Sequence, residues 1–401
     1  MVRRTLRTLT GLLGVGVAAA AWSVPGLVGA SSTTTSTTTS TTAPPVTTTT
    51  AVTSPADALV CARRLVAGWS LPRLADEVVA VSIDAAHVGA LGPAAHAGFG
   101  AVLVFGQSAP AAFATVVTRL QAMTPGGLAM LVMSDEEGGG VARLTNLVAA
   151  PPWARSMGRN WGPTRIRLAG ERLGASMLAA GLNVDLAPVL DVDPRAVYPG
   201  PRDPDGLRSF SGVAATVATD GTAFAQGLAA AGVTAVVKHF PGLGGATGNT
   251  DDGPAATRPW PQLVASDLAP FAAAVAAGVP AVMVANARVP GLTAEPASLS
   301  PVVYRYLRGP MGFRGLTMTD SLSARAISAA GLSVPAASVG ALAAGADLVL
   351  AGASPTPAAD LALARATAGA IVAAVAGGTL PRATLDAAAA QVVAARNALA
   401  C

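Results

Sequence analysis

The chain has 401 residues, 52% of them hydrophobic but only 4% aromatic and 12% charged, with a formal net charge of +4. Three of those positive charges, Arg3, Arg4 and Arg7, precede every acidic residue, so the remainder sits near +1. With few aromatics and no basic stripe, it carries no electrostatic footprint for nucleic acid. No CxxC and no Cys/His cluster points to a metal, and nothing implies a cofactor or a protein partner.

The first predicted element is an export signal. The arginines are followed by an uncharged apolar run from about Leu9 to Val28 and by the small residues Val28-Gly29-Ala30, an A-x-A-like cleavage site. A run of about 20 residues is also long enough to cross a bilayer, so an uncleaved anchor is the alternative. Residues 1–30 are thus read as a signal peptide, and an extracytoplasmic location follows, secreted or wall-associated. Residues 31–56 are almost entirely Ser, Thr, Pro, Ala and Val. Such a segment buries too little surface to offset chain entropy and reads as a disordered, Ser/Thr-rich tether. Residues 57–401 then form one folded domain. Cys61 begins it and Cys401 ends it, the only two cysteines. In an exported barrel, whose first and last elements are neighbours, they are expected to pair as a disulfide.

Within that domain, short apolar or β-branched runs recur at 78–83, 101–105, 128–133, 183–188, 233–237, 281–285, 315–319 and 346–350, each followed by an Ala-rich stretch of helical composition. Continuous apolar strands alternating with helices mark a parallel sheet buried on both faces, and eight of them over about 340 residues predict an α/β fold of the TIM-type (β/α)8 barrel. An open doubly wound sheet is the alternative, but no G-x-G-x-x-G follows the first run to support it.

In a barrel, chemistry gathers at the C-terminal ends of the strands. The third run ends in Ser134-Asp135-Glu136-Glu137-Gly138-Gly139-Gly140-Val141-Ala142-Arg143. Three carboxylates, three glycines and an arginine read either as a solvated loop or as a binding loop. In the second reading the glycines let backbone approach a ligand, and Asp135 and Arg143 bind sugar hydroxyls. Asp191 after the fourth run is placed equally well to brace a loop or touch a ligand. The fifth run ends in Lys238-His239-Phe240-Pro241-Gly242, and Lys238 is placed to form a Schiff base, as in barrel aldolases, or to bind hydroxyls. The seventh ends in Thr319-Asp320, a lone carboxylate aimed into the barrel mouth or capping the next helix.

Taken in order, 135–143, Arg208-Ser209-Phe210, Lys238-His239-Phe240-Pro241-Gly242 and Thr319-Asp320 resemble the signatures of family 3 glycoside hydrolases, in the single-domain branch of bacterial β-N-acetylglucosaminidases. The resemblance implies a retaining glycosidase with Asp320 as nucleophile and a metal-free site in which Asp135, Arg143, Arg208, Lys238 and His239 hold a nonreducing N-acetylglucosamine. Positioned donors are expected to keep the nucleophile ionised by lowering its pKa.

One departure matters. That branch carries an Asp-x-His dyad after the fifth strand, with the histidine as general acid/base, and the corresponding positions here are Asn249 and Asp251. The only other histidines, His87 and His96, fall between the first two strands and read as structural. Asp251, or its neighbour Asp252, is therefore expected to act as a carboxylic general acid with a raised pKa. The alternatives are a proton donor elsewhere, or a sugar-binding relative with weak turnover. Asn286 also stands after the sixth run where a histidine is common, and Gly-His-Gly reads Gly242-Leu243-Gly244.

Overall fold

The computed structural model describes residues 54–396. The expected signal peptide and nearly all of the expected tether fall outside the described residues, as does Cys401. The first described element, the helix Pro55–Val66, starts two residues before the folded region expected from 57. A capping box sets that start: Ser54 Oγ accepts from the Asp57 N–H at 3.2 Å, and Asp57 Oδ2 accepts from the Ser54 N–H at 3.3 Å.

Eight strands, β1 (Val79–Asp84), β2 (Ala101–Phe105), β3 (Leu131–Ser134), β4 (Val184–Asp185), β5 (Thr234–Phe240), β6 (Ala281–Val284), β7 (Leu316–Thr319) and β8 (Val349–Leu350), form one parallel sheet in the order β7-β6-β5-β4-β3-β2-β1-β8. Each overlaps one of the expected runs. Val79 pairs with Val349, and a parallel bridge joins Met318 to Leu348, so the sheet closes on itself as a TIM-type barrel. The strands are buried on both faces, β5 along its whole length, which is why they read as apolar runs and not as alternations.

Helices form the outer ring. Pro163–Ala180 and Ala214–Ala230 cross closely at Gly170, where a Cβ would stand 2.5 Å from the Phe224 carbonyl oxygen. Pro357–Ala376 is long and apolar enough to cross a membrane by composition, yet it packs on β1 and on the helix Leu71–Glu77. Below β1, the fully buried Glu77 meets Arg73 at 3.0 Å and also pairs with Arg396, tying the end of the last helix, Arg382–Ala394, to the first strand. Cys61 is buried on the first helix, which packs against Arg382–Ala394.

Candidate active site

The C-terminal ends of the strands open into a cavity of about 410 Å³. Asp135, Arg143, Arg208, Lys238, His239, Asp251 and Asp320 all line it, so the barrel gathers into one place residues that span 186 positions of sequence, from 135 to 320.

Charge pairing organises its floor. Lys238, only 2% exposed, places Nζ 2.6 Å from Asp135 Oδ1 and 2.7 Å from Glu137 Oε1. Arg208 grips Glu137 with both arms of its guanidinium, Nε to Oε2 at 2.8 Å and Nη2 to Oε1 at 2.7 Å. Arg143 approaches Asp135 at 3.6 Å. Burial works against ionising Glu137, but Arg208 and Lys238 outweigh it and hold its carboxyl well below the usual range. Burial likewise opposes the charge on Lys238, and Asp135 and Glu137 outweigh it in turn, raising the amine. A lysine held protonated between two carboxylates is a donor to hydroxyls, not an amine poised for a Schiff base. That removes the aldolase alternative.

Glu137 is the residue the sequence reading leaves without a role, although it lies on the same carboxylate cluster. The two-residue spacing from Asp135 is its available signal, since positions i and i+2 of an extended segment share a face. Its neighbour Glu136 turns inward. It accepts from Ser134 Oγ at 2.9 Å and from the Leu144 and Arg143 N–H groups at 3.1 Å, bracing the loop against burial that lifts its carboxyl to about 7.

Asp191 resolves as a brace. Its carboxylate accepts from the Leu243 N–H at 2.6 Å and from His239, both the backbone N–H at 3.2 Å and Nδ1 at 2.7 Å. Burial and the nearby Arg208 push His239 down to about 4, so the ring is neutral near pH 7. With its proton on Nδ1, facing Asp191, the ring keeps Nε2 as an acceptor, 3.4 Å from Arg208 Nη2. Asp205, fully buried beside them, has its carboxyl raised well above the usual range, first by burial and then by Asp191. Asp191, Asp205 and His239 bring ligand atoms within 4.8 Å of one another. The Asp191 oxygens are already occupied by N–H donors and Arg208 adds positive charge, so a protonated, neutral Asp205 suits this group better than a cation.

Asp320 follows β7. Its Oδ1 accepts from the Ser321 N–H at 2.7 Å. It caps no helix: the next one, Arg325–Ala329, begins after Ala324 without a side-chain cap. Its carboxyl is raised, contrary to the lowering expected from neighbouring donors, because burial dominates and Asp251 adds repulsion against the pull of His239 and the Ser321 N–H. Asn286, after β6, steadies this turn by donating to the Ser321 carbonyl at 2.7 Å while accepting from Ser298 Oγ at 2.6 Å.

The loop after β5 carries Asp251 to the rim. Asn249 Oδ1 accepts from the Asp251 N–H at 3.0 Å, and the Thr250 carbonyl accepts from the Ala326 N–H at 3.0 Å, seating the loop against the chain that follows Asp320. Asp251 lines the cavity and Asp252 does not. Loss of hydration raises the Asp251 carboxyl, against Arg208 and with repulsion from Asp252. The residue stays exposed, so water screens much of that shift. His87 and His96 are both exposed, away from the cavity. The glycines after Glu137 do not serve ligand approach as expected. A Cβ on Gly138 would stand 2.6 Å from the Pro151 carbonyl, and one on Gly139 would overlap the Trp153 ring.

The same residues carry a family likeness. The model of the glycosyl hydrolase family 3 N-terminal domain matches residues 85–395. A Mycobacterium tuberculosis β-hexosaminidase, LpqI, is 39% identical over 233 residues, 56% of this chain and 59% of that protein's length. A solved glycosyl hydrolase of the same family from Mycobacterium smegmatis superposes with a TM-score of 0.73 at 33% identity, covering 82% of this chain and 98% of the other. The β-N-acetylhexosaminidase of Beutenbergia cavernae gives 0.72 at 32% identity, covering 83% and 100%. The chain belongs to glycosyl hydrolase family 3.

Proposed function

We propose that this protein is an exported retaining β-glycosidase that releases terminal β-linked N-acetylglucosamine from peptidoglycan fragments or related oligosaccharides. The observation that carries the reading is the shared cavity, in which Asp320 faces the charge-paired Asp135, Lys238, Glu137 and Arg208. Similarity to proteins named β-hexosaminidase supports the substrate class. Asp320 attacks the anomeric carbon while Asp251 gives its proton to the glycosidic oxygen. The resulting glycosyl-aspartate is hydrolysed by a water that Asp251 deprotonates. Fixed donors on the floor hold the sugar hydroxyls, so binding free energy is available to distort the ring towards an oxocarbenium-like state.

Incubation with a 2-fluoro glycoside, or with a 5-fluoro N-acetylglucosaminide that keeps the acetamido group, followed by peptide mass spectrometry, should place the label on Asp320; a label elsewhere refutes the assignment. Asp251→Asn should cut hydrolysis of a poor-leaving-group substrate by about 10²–10⁴-fold, and much less for an activated aryl glycoside. Because activity needs Asp251 protonated, the wild-type rate should fall as pH rises through its raised pKa, and the variant should lose that limb. The replaced dyad histidine favours one second reading, a sugar-binding relative with weak turnover. It predicts calorimetric binding of N-acetylglucosamine and no labelling of Asp320. A β-glucosidase-like specificity would instead appear as preference for an aryl glucoside over its N-acetylglucosaminide counterpart.

A further inference from the structure

The reaction assigned to this cavity needs a place for the leaving sugar, and an aromatic pair, Trp153 and Tyr198, stands outside the cavity lining but next to it in the chain and by packing. Tyr198 is 76% exposed, more than any other large apolar side chain among the described residues. It directly precedes Pro199 and Gly200, which line the cavity wall. Its ring is nonetheless held: Trp153 meets it edge to face, with 6.1 Å between centroids and 77° between planes. Trp153 is itself seated on Gly139 and Gly140, where any Cβ would collide with its indole, and the next residue, Val141, lines the cavity.

The same segment is joined to the loop of the proposed acid. The Asn249 N–H donates to the Pro201 carbonyl at 2.9 Å, and Asn249 Oδ1 accepts from the Asp251 N–H at 3.0 Å. An acid that protonates the glycosidic oxygen has the departing group on its own side of the cavity, which is the side bounded by this segment. An exposed aromatic ring already fixed by a neighbour offers contact area with little further loss of rotamer freedom, and the C–H face of a pyranose is a suitable partner for it. We propose that Tyr198, pinned by Trp153, is the stacking platform of an aglycone subsite for a second pyranose ring. The proposal rests on the hydrolase reading of the same cavity.

The test compares ligands with and without that second ring. Binding of N-acetylglucosamine and of N,N′-diacetylchitobiose is measured by calorimetry in an Asp320→Asn background, where the disaccharide survives. Turnover of the disaccharide and of N-acetylglucosaminyl fluoride is measured with Asp320 intact. Tyr198→Ala should weaken disaccharide binding and lower its kcat/KM by roughly tenfold, leave the monosaccharide and the fluoride within about twofold, and be largely restored by Tyr198→Phe. Equal losses on both kinds of ligand, or no loss on the disaccharide, overturn the platform. If the wild type turns over neither substrate, the hydrolase reading fails, while the paired affinities still decide whether Tyr198 holds a second ring.

Discussion

Glu137 bears two cations, Lys238 and Arg208, in a site from which water is largely excluded. Leaving either unpaired there is costly, because a buried charge without its partner loses hydration and gains nothing in return. Glu137→Gln keeps the shape and removes the charge. Chemical denaturation should show it less stable by about 3–5 kcal/mol at pH 7, with a raised KM as Lys238 and Arg208 lose their fixed positions. The pH dependence has a definite sign. A carboxyl held below its ordinary value of 4.5 stabilises the fold above that pH, and the contribution is lost as pH falls below it. The variant has no such proton to take up, so its gap from wild type should narrow on acidification; a gap that is constant or widens would contradict the pairing. Asp135, Lys238 and Asp320 were legible as site residues because charged side chains directly after buried runs have few structural reasons to be there. Glu137 and Asp205 were not, because their roles come from partners 71 positions away in one case and from burial beside Asp191 in the other.

At the level of elements, the strands read clearly and the loops did not. Apolar runs record burial on both faces of a closed sheet, a property of each segment in isolation. The hairpin of Glu136–Gly138 and Val141–Ala142 records a contact with Trp153 that no local pattern announces. Two glycines separate the conformational part of such a contact from the packing part. Gly126 has φ +69° with nothing within 4 Å of a built Cβ, whereas Gly139 has φ +59° and the Trp153 ring in the way. Gly126→Ala should cost about 1–2 kcal/mol for the left-handed backbone alone, and Gly139→Ala about 1–3 kcal/mol more for overpacking. Equal shifts in melting temperature would show that Trp153 moves aside freely. Asn286 makes a similar point, since a residue read as a departure at the end of β6 holds the turn of the proposed nucleophile.

Among the described residues, the strands form a closed ring whose first and last helices lie together, with Glu77 and Arg396 paired beneath β1. That neighbourhood is the setting for the proposed disulfide between Cys61 and Cys401. Under the proposed export, non-reducing peptide mapping of protein recovered outside the cytoplasm should find the two cysteines in one linked species, and N-terminal sequencing should start near Ser31. Cys401→Ser should then lower stability by about 2–4 kcal/mol; unlinked peptides from protein in the oxidising compartment would refute the pairing. The sequence by itself determined the barrel, because strand burial and helix composition are local, and it determined most of the cavity's charged residues, because their position after a strand is read directly. Only the tertiary structure decided which carboxylate pairs with which cation, that the glycines make room for an indole, and that burial raises the Asp320 carboxyl. These depend on distances between segments far apart in the chain and on water excluded by the closed fold, neither of which is a property of any one segment.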